Sequence, residues 1–259
     1  MSMFRTVLAL WPDGAGPAEG VSSRRSSTAA LDVEGVQTTL DGRPEVVTGE
    51  AAYVGTDQEQ IPLIHEDDDG TIEIGEQTRG ITTFDQTEWF AVPEANPGFV
   101  CFESSDVDYA CDLLGFETDD IPQYAHYDLG AVADTLEREG ARFTHVGWSE
   151  GDDEDPGEAG MWYPNPLDTD DSQVEQITNR GLRSDLAQLG FDVQTDRRHL
   201  RGTIAESGYL ALFDPDDLEA TDWVGIMTDL FLPHAYVPAD AGGGQQTLPT
   251  GEADGGGQA

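Results

Sequence analysis

Up to Glu103 the apolar residues fall in short runs rich in β-branched and aromatic side chains, with Pro, Gly, Asn and Asp between them. Phe4 to Trp11, Glu45 to Val54, Thr71 to Ile74, Gly80 to Phe84, Glu88 to Val92 and Gly98 to Phe102 each have the length and composition of a strand. Beyond Glu103 the period changes. Val107, Ala110, Cys111 and Leu114 lie at i, i+3, i+4 and i+7, which predicts an amphipathic helix with Ser105 as its N-cap and Gly115 just past its end. Leu129, Val132, Ala133 and Leu136 repeat the spacing between Asp128 and Gly140, and Trp223, Ile226, Met227 and Leu230 repeat it before Pro233.

Between these helices, residues 174 to 189 are helical in composition but contain Gly181, which predicts a short helix, a break and a second helix. Phe143 to Trp148, Phe191 to Gln194, Leu200 to Ala205 and Tyr209 to Phe213 read as strands, the last two joined by a hairpin over Glu206, Ser207 and Gly208. The expected fold class is α+β: a β-rich region over 1–104, a mixed helix and strand region over 105–237 packed on it, and a Gly-rich disordered tail over 238–259. The run Gly98 to Phe102 before a helix echoes Gly208 to Leu212 before another, a likeness that ordinary strand-to-helix connections also produce. The acid-rich stretch from Glu150 to Gly160 reads as a solvated loop.

Charge alters this picture more than hydropathy does. The chain carries 12 Arg and Lys against 52 Asp and Glu, a net charge of −40, and every one of the 12 cations is an arginine. The charged fraction, 25%, is ordinary, so the anomaly is its sign. At about 1 M salt the screening length falls to roughly 3 Å, which relieves the self-repulsion of such a chain. Lysine's exposed apolar stem is disfavoured in salting-out media, whereas carboxylates hold water and hydrated cations. In composition the chain resembles the cytoplasmic proteins of haloarchaea. Disorder is the competing reading of high acidity, but five Trp, seven Tyr and ten Phe are enough to fill a core.

Ser22, Ser23, Arg24 and Arg25 look like a twin-arginine export signal, but the following Leu31, Asp32, Val33 and Glu34 put acids where an apolar run is required. No stretch has the length of a membrane span, so the expectation is a cytoplasmic protein without membrane contact.

Few motifs suggest chemistry. Residues His65 to Glu76 align with a twelve-residue calcium loop, placing Asp67, Asp69 and Glu76 at ligand positions; His65 stands where the first Asp belongs, and the flanks read as strands around an Asp-Gly turn. There is no GxSxG elbow, no GxGxxG and, without lysine, no phosphate loop of the GxxxxGK type, so no cofactor is expected. Cys111 belongs to the apolar face of its helix, and the five histidines have no zinc spacing.

One cluster of cations stands out. Arg180, Arg183, Arg197, Arg198 and Arg201 fall within 22 residues that contain only Asp185, Asp192 and Asp196 as acids, and strand alternation puts His199 and Arg201 on one face. Arginine forks suit bidentate binding of carboxylate or phosphate, while pairing with the protein's own acids is the simpler reading. The expectation is a non-catalytic binding or assembly protein of a haloarchaeal cytoplasm, or of a virus or plasmid there, with a protein or anionic ligand at Arg180 to Arg201. A nucleic-acid accessory role through the same segment is disfavoured because phosphate contacts weaken steeply with salt. An enzyme with a dispersed, metal-assisted hydrolytic site is the alternative from another class.

Overall fold

The first strand, β1 (Met3–Leu10), turns Leu8 and Leu10 to one side and Val7 and Ala9 to the other, and all four are buried. A strand buried on both faces belongs at the centre of a covered sheet. In the computed structural model, which describes residues 3–12, 16, 21–37, 45–66, 72–103, 107–115, 121–149, 159–164, 172–183, 185–195, 198–213 and 220–239, β1 occupies that place. On one side it pairs with β13 (Tyr209–Phe213), followed outward by β12 (His199–Ala205), β11 (Leu186–Gln194), β9 (Arg142–Ser149) and β10 (Ala159–Trp162). On the other side come β6 (Phe99–Phe102), β5 (Ile72–Val92), β4 (Val46–Glu66), β3 (Ala29–Gln37) and β2 (Arg24–Arg25). β7 (Gln123–Tyr124) also pairs with β1, while β8 (His126–Tyr127) and β14 (Ala235–Tyr236) form a separate two-stranded sheet.

The protein is therefore a mixed fold dominated by one large antiparallel sheet. This sheet runs through both sequence halves, because β1 and β6 from the first half lie beside β13 from the second. Helices are interleaved with the later strands rather than gathered at the C-terminal end: α1 (Asp108–Gly115), α2 (Leu129–Arg138), α3 (Gln173–Asn179) and α4 (Ala220–Ile226), the last continuing through a π turn, Met227–Phe231.

They cover the sheet unequally. Leu8, Phe99, Cys101, Phe191, Ile204 and Leu212 join one core with α2, α3 and α4, spanning most of the sheet's width. The alternate residues Ala9, Val100, Phe102, Trp89 and Leu31 join a second core with α1, which is confined to the β1 to β3 half. The two strand-to-helix connections that echo in sequence, β6 to α1 and β13 to α4, thus deliver their helices to opposite faces.

Local chemistry accounts for the helix ends. Asp128 caps α2 by accepting from the Ala131 N–H at 3.0 Å, and Gly140 just past the helix has φ +79°, which favours glycine. Arg24 donates to the Leu113 carbonyl at 3.1 Å, placing a cation on the negative end of α1. This arginine of the export-like sequence is thus built into the fold.

Three expectations need correction. The second helix after Gly181 is strand β11; a bulge between Leu186 and Gln188 puts both Leu186 and Leu189 in the core, so a bulged strand imitates helical i, i+3 spacing. The described part of the run Thr71 to Ile74, residues 72–74, and the runs Gly80 to Phe84 and Glu88 to Val92 belong to the single long strand β5. Strand β3 escaped the reading because Asp32 and Glu34 alternate with Leu31 and Val33. Among the described residues no helix is long and apolar enough to cross a membrane. The acidic loop at 150–158 and the tail from 240 onward lie outside the described residues.

Candidate binding face

Over β9, β11, β12 and β13, the described helices pack on one face; the opposite face is open at His199 and Arg201 but closed at Gly190, Thr203 and Ala211, which are buried. Strand alternation dictates what that face carries. Because Leu189, Phe191, Val193, Leu200 and Ile204 point into the core, Gln188, Gly190, Asp192, His199, Arg201 and Thr203 point away from it. A bulge in β9 lets Phe143 and Val146 both reach the core while His145 turns outward.

The register brings distant arginines together. Arg142 on β9 and Arg201 on β12 flank Asp192 on β11 as its two cross-strand neighbours. One row further along, His145, Gly190, Thr203, Ala211 and Arg5 form a line across five strands. Arg5, Arg142 and Arg201 are exposed and make no hydrogen bond or ion pair among the described residues. Asp192 is already engaged, its Oδ1 lying 2.7 Å from His199 Nε2.

His145 rests directly on Gly190, where a Cβ would come within 2.1 Å of its ring. Its Nδ1 lies 3.2 Å from Thr144 Oγ1 and its Nε2 3.4 Å from Gln188, and the exposed ring of Tyr163 stands 6.4 Å away. Burial lowers the His145 pKa, so the imidazole is neutral at neutral pH and the positive charge of the face comes from arginine. Among the described residues no carboxylate contacts this imidazole.

The chain matches no protein-family profile and no curated protein sequence.

The other arginines of the sequence cluster go elsewhere. Arg183 pairs with Asp134 and donates to the Gly130 carbonyl at 3.4 Å, both on α2. Arg198 pairs with Asp222 of α4 at 2.6 Å. Arg180 lies over the Trp162 ring at 4.5 Å. Arg197 falls outside the described residues. Of the five described residues among those named from sequence, His199 and Arg201 lie on this face. Arg5 and Arg142 were missed because they stand alone in sequence, and only the strand register gathers them.

The calcium-loop residues Asp67 and Asp69 lie outside the described residues, and Glu76 occupies a position on β5 opposite Pro62. The flanking segments are strands. Among the described residues no group of three or more His, Cys, Asp or Glu could hold a metal. A cleft of about 210 Å³ beside Trp223 is walled by Thr6, Thr48, Glu34, Glu88 and Glu103. Cys101 also lines it, but burial pushes this thiol far up, as it does for Cys111, which suits neither to act as a thiolate nucleophile.

Proposed function

We propose that this chain is a non-catalytic binding or assembly protein of a salt-adapted cytoplasm, and that it holds a carboxylate- or phosphate-bearing partner against the arginine-bearing face of β9, β11 and β12 and the Arg5 end of β1. The observation that carries this reading is the placement of Arg5, Arg142 and Arg201 on one face of the sheet, all without an ion-pair partner among the described residues, in a molecule of net charge −40. Guanidinium groups on a rigid sheet are pre-organised for forked contacts to anions, which persist at short range when long-range fields are screened.

A second reading is single-stranded nucleic acid on the same face, favoured by Tyr163, which is 68% exposed beside His145 and offers a ring for base stacking. Counterion release gives such binding little at molar salt.

The test is a pull-down in molar potassium chloride with wild type and the Arg5→Glu, Arg142→Glu and Arg201→Glu variants. All three should lose the partner while keeping the wild-type melt, since exposed changes shift stability by under about 0.5 kcal/mol. Arg198→Glu, which breaks the ion pair with Asp222 instead, should lower stability and keep the partner. Retention of the partner by all three face variants would overturn the assignment. Binding of a labelled oligonucleotide at molar salt, abolished by Tyr163→Ala, would move it to the second reading.

A further inference from the structure

Strands β4 and β5 pair without a break from Val47↔Ala91 to Glu66↔Ile72, but the rest of the sheet supports only the base of this hairpin. Strand β3 stops pairing at Ala29↔Tyr53 and β6 at Trp89↔Phe102. Past those points the hairpin continues alone as a two-stranded arm, which at about 3.3 Å per residue extends roughly 40 Å from the body. An isolated ribbon of this kind is marginal in water and gains stability by covering a face.

One face of the arm is unlike the remaining surface. Continuing the side of the sheet that carries Thr48 and Phe90, the register stacks the pairs Ala52↔Gln86, Val54↔Phe84, Thr56↔Thr82, Gln58↔Gly80 and Gln60↔Thr78. None of these ten residues is charged, all ten are exposed, and Phe84 and Val54 are exposed by 75% and 44%. The opposite face carries Asp57, Glu59, Arg79 and Asp85. The stripe is bounded at its base by the cross-strand pair Glu50↔Glu88 and toward the tip by Pro62↔Glu76, so it is five pairs long. A quarter of the chain is charged, so five successive uncharged pairs on the most projecting element single out this strip.

We propose that two copies of the chain associate through this five-pair uncharged stripe of the β4–β5 arm, the two stripes packing face to face about a twofold axis. The occupant is argued from charge. A copy of this protein brings another −40, so a self-contact can form without opposing carboxylates only on a strip that has none. An isologous contact sets this strip against itself, and apolar burial of Phe84 and Val54 strengthens in the salting-out solvent that weakens other attractions. Ten residues per copy is below the 20–30 of a standard interface, so the dimer is weak and concentration-dependent. This surface is separate from the arginine face, and neither proposal depends on the other.

Sedimentation velocity of the full chain in molar potassium chloride tests it. Wild type should pass from monomer to dimer with concentration, and Phe84→Glu and Thr56→Glu should each raise the dissociation constant at least about tenfold while the circular dichroism melt is unchanged. Arg201→Glu should leave the dimer intact. Because Cys101 and Cys111 are both buried, Thr82→Cys introduces an accessible thiol on the stripe, and oxidation should link two copies. A protein that stays monomeric up to its solubility limit overturns the proposal. So does a dimer that survives both arm substitutions, or one that Arg201→Glu dissolves.

Discussion

At the scale of single residues, Gly190 and His145 show how a missing side chain shapes a surface. The imidazole occupies the space a Cβ would need, which half-buries it and lowers its pKa below the ordinary 6.5. His234, held 2.7 Å from Thr135 Oγ1, is lowered in the same direction, again mainly by burial. Between the ordinary value and the lowered one, the unfolded chain binds more protons than the folded one. These two histidines therefore contribute stability that is present above about pH 6.5 and is lost as pH falls through their folded values. Proton NMR of the imidazole Hε1 signals should give midpoints for both below that of a free histidine, and His145→Gln should remove part of the acid-side loss. Below its midpoint His145 adds a positive charge to the arginine face, so partner binding should tighten in acid, and His145→Gln should abolish that change.

At the scale of elements, Arg24 ties an edge strand to a helix end. Its guanidinium meets the last carbonyls of α1 from a two-residue strand, and a charged donor at such a position is worth about 1.5–3 kcal/mol before discounting its partial exposure. Arg24→Gln should cost about 1–2 kcal/mol by denaturant unfolding in molar potassium chloride, with Arg24→Lys restoring only part because the ammonium is more strongly hydrated and sits on a shorter stem than the Nη1 that reaches both carbonyls. The sequence showed α1 through its apolar spacing and α2 through its spacing and its Asp128 cap, while Ser105 lies outside the described residues; it also showed the hairpin over Gly208, whose φ of +82° favours glycine. It misled where two periods coincide: the β11 bulge spaces Leu186 and Leu189 like a helix. The site was legible only at His199 and Arg201, because which strand lies beside which is set by long-range pairing that local pattern does not encode.

At the scale of the whole molecule, two cores on opposite faces of one sheet must close against the repulsion of 52 acids. Even if every one of the 12 arginines paired with an acid, the net charge would remain −40, so internal pairing neutralises little of the repulsion. Circular dichroism over a potassium chloride titration should show structure gained cooperatively between low and molar salt, and a melt at low ionic strength that salt does not alter would refute the solvent adaptation.

The placement of β1 between β6 and β13 also governs when the protein can fold. Val7 faces Tyr209 across the sheet, so the first strand emerges from the ribosome about two hundred residues before one of its two neighbours exists. Until then its apolar run from Val7 to Trp11 can pair only with β6 and the short β7, a state in which nascent chains adhere to one another. Carboxylates along the same nascent chain, which hold water even where salt screens their repulsion, oppose that adhesion while the central strand waits for its last partner.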